Sequence, residues 1–303
     1  MSTRHSVTVR VPASTSNCGS GFDTLGLALR LYNRVTLTRV PGAAGPVWAA
    51  GGADPAHAMV AEAAEAFGRR TGRGRFGFRY AVAARVPPGR GLGSSATLRA
   101  GTLAGLNALA GTGLTRRQLV ELVTALEGHP DNAAPSILGG FCVARTAPAT
   151  GAFVDCVRVA VPPDLAFVVV APPGEVRTEA SRRALPRTLP FFDAVKSINA
   201  ASFLVAALTA REYRKLRHAV ADFVHEPYRL PAIPGGRRAI DAGIAAGAFT
   251  GWLSGSGNGL LCVCRRAKVP AVRGAMEAAL RAAAGGAGGS WVLAADNAGL
   301  VVE

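Results

Sequence analysis

Lysine is almost absent from this chain. Lys196, Lys215 and Lys268 are the only three among 34 basic residues. None of them follows a glycine, so there is no Gly-Lys-Ser/Thr segment, and a Walker A nucleotide site is excluded. Aromatic residues are sparse at 6%. They do not interleave with the arginines, whose densest pairs (Arg69-Arg70, Arg116-Arg117, Arg182-Arg183, Arg237-Arg238, Arg265-Arg266) lie far apart. That pattern argues against a stacking platform for nucleic acid. The five cysteines form no CxxC and no even framework, which speaks against structural zinc and for a reducing compartment. No serine has glycines two before and two after it, so the nucleophile elbow of a serine hydrolase is absent. Residues 1–11 lack the apolar core of a secretory leader, and no apolar run approaches the length of a membrane span. The expectation is therefore a cytoplasmic protein with no membrane partner. Acidic residues number 19 against 34 basic ones, and the net charge of +15 calls for an anionic partner. With the arginines scattered, a nucleotide suits that charge better than nucleic acid does.

What the chain does contain begins with apolar bulk. Its 303 residues are 49% hydrophobic and 17% charged, enough for two domains with real cores. The stretch Pro87-Pro88-Gly89-Arg90-Gly91-Leu92-Gly93-Ser94-Ser95-Ala96-Thr97 has glycine at every second position, then two serines, then a helical spacing of leucines. Glycine lets backbone pass close to a bulky ligand. A loop that runs into a helix N-terminus points free N–H groups and the positive dipole end at one spot, which is a ready site for phosphate. Serine hydroxyls there add hydrogen bonds or a magnesium contact. Residues 114–128 carry the clearest local signal: Thr115 and Gln118 as a capping box, Leu114 and Leu119 as a hydrophobic staple, and Gly128 as the stop. The polar cluster Glu127-Gly128-His129-Pro130-Asp131-Asn132 follows at once. A second glycine loop, Ser254-Gly255-Ser256-Gly257, precedes a strand.

Elsewhere residues 6–11 read as a strand that stops at Pro12, 13–23 as a polar loop, 41–55 as a long loop, and 213–223 as a helix. Strands and helices mix without a regular βαβ repeat. The fold class is α+β, in two domains spanning 1–150 and 151–303.

These segments together resemble the GHMP kinases, with three motifs at 12–23, 87–97 and 254–257 in the expected order. Within that superfamily the stretches STSNCGSGFDTLGLAL, PPGRGLGSSAT, EGHPDNAAPSILGGF and HEPYRLPAIPG are most similar to the homoserine kinase group. The resemblance implies a two-domain GHMP kinase fold and transfer of the ATP γ-phosphoryl group to the side-chain hydroxyl of L-homoserine, with Mg2+ as cofactor, in threonine biosynthesis. A homodimer is one assembly it allows. It implies that residues 91–95 cradle the phosphates with Ser95 as a magnesium contact. A second metal ligand, eleven residues before the end of the HxDN-type motif, falls on Glu121, with Glu127 as the competing candidate. Asn17, Asp23, His129, Asp131 and Asn132 match positions that hold the acceptor, and Arg182 and Arg229 match a carboxylate clamp. Asn132 stands where mevalonate-type relatives place an aspartate base, so the resemblance implies catalysis by Ser95, Asn132 and Glu121 without a side-chain base. Cys18, Ser20, Arg99 and Asn258-Gly259 depart from the pattern. The rival readings are a GHMP kinase for another alcohol, such as a sugar or a mevalonate-like acid, and a non-catalytic basic nucleic-acid-binding protein.

Overall fold

Alternating valines begin the first strand, and a computed structural model describes the chain over residues 4–43, 45–50, 54–72, 76–174, 178–219 and 221–303. Val7, Val9 and Val11 are buried on one face of β1 (Ser6–Ser16). The strand does not stop at Pro12. The register against the next strand shifts between Pro12 and Ala13, and pairing resumes through Ser16. Proline has no N–H to give the ladder, so a bulge is its place within a strand. Residues 13–16 of the segment expected as a loop are thus strand, and hydrogen bonds hold the hydroxyls of Ser14, Thr15 and Ser16.

The partner strand, β2 (Leu25–Arg39), is the longest in the fold at 15 residues. Next come β3 (Pro46–Trp48), α1 (His57–Thr71), β4 (Phe78–Ala83), α2 (Ser94–Ala110), α3 (Arg116–Glu127), α4 (Ala133–Leu138), β5 (Phe141–Thr146) and β6 (Phe153–Val159). Residues 44 and 51–53 of the expected long loop lie outside the described residues, and β3 occupies part of the remainder. In α3 the Thr115–Gln118 capping box is present in both directions, and Gly128 closes the helix in the left-handed conformation. Such a cap contributes about 1 kcal/mol.

The second half supplies β7 (Leu165–Ala171), α5 (Thr178–Arg183), α6 (Phe191–Thr209), α7 (Glu226–Arg229), α8 (Gly236–Ala245), β8 (Thr250–Leu253), β9 (Leu260–Arg265), α9 (Val269–Ala284), β10 (Gly289–Leu293) and β11 (Val301–Val302). The helix expected over 213–223 is only a 3-10 turn, Tyr213–His218; Val220 lies outside the described residues. Among the described residues, one sheet has the order β11-β1-β2-β4-β3, with β5 joined to β2 and β6 to β5. A second has the order β10-β7-β9-β8.

The layers follow from which faces are apolar. Helices α1 to α4 cover one face of the first sheet, around Val35, Leu37, Phe78 and Leu103. The second sheet packs near the other face through Leu27, Leu29, Phe167 and Val169. Helices α8 and α9 close the far side over Val168 and Cys262, with Met276 of α9 in the same cluster. All seven residues of β7 are buried, as expected for a strand covered on both faces. The chain passes from one sheet to the other over residues 160–164, so position 150 falls between β5 and β6 of a single sheet. At the end β11 returns to pair with β1.

One expectation is corrected. Helix α6 has 19 residues with a mean hydropathy of 1.4, long and apolar enough to cross a membrane by length and composition. It carries only Asp193 and Lys196 as charges. Its Leu204, Ala207 and Leu208 pack into the core between the sheets, while Phe191, Phe192 and Ile198 are exposed.

Candidate active site

Strand β4 delivers the chain to Val86, where the glycine loop begins, and a buried asparagine fixes the delivery. Asn33 on β2 accepts hydrogen bonds at Oδ1 from the N–H groups of Arg85 and Val86, both 2.8 Å, and donates from Nδ2 to Thr97 Oγ1 at 2.8 Å. One satisfied amide thereby ties β2 to both the entrance and the exit of the loop. Ser94 Oγ donates to Val86 O at 3.1 Å and closes the loop on itself. Gly93 caps α2 with φ 70°. The first hydrogen bond into the helix is Thr97 N to Gly93 O, which leaves the earlier N–H groups for a ligand. The loop lines a cavity of about 290 Å³, together with Met59, His129, Asn132 and residues 255–257.

The glycines are needed chiefly by the protein itself. A Cβ on Gly91 would lie 1.7 Å from Ser254 O, and one on Gly93 would lie 2.3 Å from Ser14 Oγ and 3.0 Å from Asn132 Oδ1. The three polar segments interlock here. Ser254 Oγ donates to Gly91 O at 2.7 Å, Ser14 N to Leu92 O at 3.1 Å, and Gly255 N to Ser16 O at 3.2 Å. Gly93→Val should therefore displace both the loop and Asn132. A shift of about 1 Å in a positioning element costs on the order of 10²-fold in rate, so turnover should fall at least that far. Wild-type ATP affinity and turnover in this variant would show that the loop does not position the nucleotide.

Ser95 Oγ donates to Glu127 Oε2 at 2.9 Å. Glu127 is the last residue of α3 and its side chain is 8% exposed. Glu121 stands elsewhere, pairing with Arg70 at 3.3 Å and Arg117 at 3.7 Å on the surface. Of the two candidates, the structure brings Glu127 to Ser95 and leaves Glu121 away from it. Six helical residues rotate a side chain by about 240°, so only one of the two glutamates can face α2. Residues 128–131 separate the end of α3 from Asn132, so Glu127 and Asn132 come together at the same site. A hydroxyl and a carboxylate together form a hard oxygen donor set, suited to Mg2+.

Beyond this cavity a smaller one, about 20 Å³, is walled by Asn17, Asp23, Asp131, Arg182 and Arg229. The two share His129, Asn132 and Ser256 as a common wall. The acceptor residues expected from sequence are brought together here. Arg182 donates to Asp23 Oδ1 at 2.6 Å. Asn17 Oδ1 accepts from Asp23 N at 3.1 Å, and its Nδ2 donates to Gly255 O at 3.3 Å. Asn17, Cys18 and Asp23 all have positive φ, uncommon for residues with side chains and concentrated at functional turns.

Arg229, 5% exposed, donates to the carbonyls of Ser181 at 3.2 Å and Gly255 at 3.3 Å. Its guanidinium and that of Arg182 both lie over the Phe22 ring, at 5.2 and 5.5 Å. Burial, and then the charge of Arg182, lower the Arg229 pKa to about 10. A buried cation served by carbonyls is a place for an anion. His129 Nδ1 and Asp131 Oδ1 are 2.5 Å apart. Burial alone would lower the His129 pKa, but the charge and hydrogen bond of Asp131 outweigh it, and the net shift is upward. Asp23, His129 and Asp131 hold ligand atoms within 4.8 Å of one another, a spacing open to a metal. Arg182 already holds Asp23 Oδ1, and the carboxylate oxygens that remain can accept charge-assisted hydrogen bonds from an ammonium group. Asn132 accepts from Ser14 Oγ at 2.8 Å and donates to Ser16 Oγ at 3.1 Å, so its amide is fixed at the junction of the cavities.

Sequence reasoning missed several residues that build this site. Ser14 and Ser16 were legible only as members of a polar run, and Ser256 only as part of a glycine loop. Asn33 had one available signal, a lone asparagine in the middle of an apolar strand. His225, whose Nε2 lies 2.8 Å from Gly19 O, and Asp222, which accepts from the N–H groups of His225 and Glu226, set the start of α7 and so the place of Arg229.

Residues 58–140 match the family model described as the GHMP kinases N terminal domain. A homoserine kinase of Synechococcus sp. (strain CC9311) is 38% identical over 91% of this chain and 90% of its own length. The crystal structure of homoserine kinase from Cytophaga hutchinsonii superposes with a TM-score of 0.88 at 26% identity, covering 100% of this chain and 99% of that one. A mevalonate kinase from L. major shares the fold, with a TM-score of 0.72 at 15% identity over 95% of this chain and 96% of that one.

Proposed function

The chain belongs to the homoserine kinases of the GHMP kinase superfamily, and from that premise we infer that it transfers the ATP γ-phosphoryl group to the side-chain hydroxyl of L-homoserine. The product is O-phospho-L-homoserine, on the route to threonine. The observation that carries this reading is the pair of cavities meeting at His129, Asn132 and Ser256. One has a glycine loop and a helix N-terminus for phosphate, and the other a buried guanidinium for carboxylate.

Phosphoryl transfer asks mainly for positioning and charge neutralisation. The loop over residues 91–95 holds the phosphates by backbone N–H groups. Met59, Pro87 and Pro88 offer apolar surface at the edge of the same cavity. Ser95 and Glu127 are the donors that would hold Mg2+, which neutralises phosphate charge when bound. At the other end Arg229 and Arg182 take the amino acid carboxylate, while Asp23 and Asp131 face its ammonium group. That two-point hold turns the hydroxyl toward the shared wall.

Asn132 lies at that wall and has no proton-accepting charge. The neighbouring carboxylates Asp23 and Asp131 are already engaged by Arg182 and His129. We assign Asn132 an orienting role, with the hydroxyl proton passing to phosphate or water. Loss of a general base typically costs about 10²–10⁴-fold. Asn132→Asp should not raise the rate; a faster enzyme with a new pH limb in the carboxylate range would show that a base is used at this position. We further place the enzyme in the cytoplasm, without nucleic-acid or membrane partners, and treat a homodimer as its candidate assembly.

Phosphorus NMR of a reaction holding enzyme, ATP, Mg2+ and L-homoserine tests the function. A phosphate monoester resonance should grow as ATP disappears. ATP loss to inorganic phosphate, with or without homoserine, would overturn the assignment.

A further inference from the structure

Arg99 stands on α2 one turn beyond Ser95, where helical side chains lean back toward the N-terminus. Its Nη1 pairs with Glu127 Oε1, and its Nη2 donates to Glu62 Oε2 on α1 at 2.9 Å. The two oxygens of Glu127 are therefore divided, one toward a guanidinium and the other toward Ser95 Oγ. Both members of the ion pair are largely buried, Arg99 at 14% and Glu127 at 8% exposure.

We propose that Arg99 excludes free divalent metal from the Ser95–Glu127 pair, so that the metal enters this site only together with the nucleotide. The proposal rests on the reading of Ser95 and Glu127 as metal donors. A free Mg2+ ion approaching Glu127 meets a carboxylate that is already neutralised and a fixed cation beside it. In a shielded place the repulsion between such charges is several times stronger than in water. The Mg2+ complex of ATP carries a net negative charge, so its phosphates offset the metal and offer the guanidinium an anion. Glu62 holds the other side of the fork, so Arg99 stays in place when Glu127 turns to the metal. A small apolar residue at position 99 would leave Glu127 open to any divalent ion.

Mn2+ titrations followed by electron paramagnetic resonance, without nucleotide, test this directly. Wild type and Arg99→Lys, which keeps the charge, should bind free Mn2+ weakly. Arg99→Met should bind it at least about tenfold more tightly. With ATP present, all three should bind the Mn2+–ATP complex, read as the change that added protein makes to the Mn2+–ATP signal, which also shows that each is folded. The proposal is overturned if Arg99→Met binds Mn2+ with ATP but has no greater affinity than wild type for free Mn2+. Arg99→Gln is read the same way should the methionine variant not fold. Loss of Mn2+–ATP binding in both neutral variants also overturns it, since the arginine would then attract the complex and not exclude the ion. A separate variant, Glu127→Gln, tests the underlying reading. Unchanged Mn2+–ATP affinity there removes Glu127 as a donor, whatever the nucleotide-free titrations show.

Discussion

Glu127→Gln is expected to lower kcat by about two to three orders of magnitude, because a metal that neutralises developing phosphate charge supplies several kcal/mol to the transition state. Glu121→Gln should leave kcat within about twofold, as for a solvated surface pair that contributes little. The contrast follows from position alone. Both glutamates lie on α3, but only Glu127 reaches Ser95 Oγ, at 2.9 Å, while Glu121 engages Arg70 and Arg117. Glutamine keeps the size and one acceptor oxygen of Glu127, so a large loss reports the charge and not the packing. The half-saturating Mg2+ concentration should rise along with the loss in kcat. If Glu121→Gln gives the large effect instead, α3 presents its other face to the nucleotide and the metal assignment falls.

Arg229→Ala is expected to raise the KM for homoserine by about 10- to 100-fold, the range for a hydrogen bond to a charged group of roughly 1.5–3 kcal/mol. The KM for ATP should stay within about twofold. Homoserine is a small zwitterion with few apolar contacts to offer, so its carboxylate is the strongest handle. Arg229 is the better placed of the two arginines. It is 5% exposed and served by carbonyls, whereas the Arg182 side chain is 38% exposed and bound to Asp23. Arg182→Ala should therefore produce the smaller rise, since solvent screens it. Arg229→Lys should fall between wild type and alanine, because lysine keeps the charge and loses the planar fork. Alanine leaves the Ser181 and Gly255 carbonyls without this donor, so a thermal melt should accompany the kinetics. A homoserine KM within twofold of wild type in a folded Arg229→Ala would show that the clamp is misassigned.

Much of this was legible in the sequence wherever a local rule governs. The Thr115–Gln118 box and the Gly128 stop are contacts between near neighbours, and they stand as read. The loop over 87–97 announced itself by its glycines and by the helix after it. Legibility failed where the partner is far along the chain. Residues 14–16 look like loop because they are small and polar, yet they are strand, since Asn132 and Ser254 satisfy their hydroxyls across more than a hundred residues. Glu121 and Glu127 both lie on α3, and only the packing of α3 against α2 shows which of them reaches Ser95. Asn33 carries no motif, and its meaning appears only once β4 and α2 meet beside it. Over 213–218 the chain does turn, but as a 3-10 turn that ends at Ala219.

The measurement that bears most directly on the central claim is ATP consumption with a panel of acceptors at saturating Mg2+: L-homoserine, 3-amino-1-propanol, mevalonate and galactose. The second is homoserine without its carboxylate, so it isolates the contribution of Arg229 and Arg182. Rapid turnover with homoserine and little with the other three is the result predicted by a phosphate loop joined to a carboxylate clamp. Equal turnover of 3-amino-1-propanol, or faster turnover of mevalonate or galactose, would contradict it.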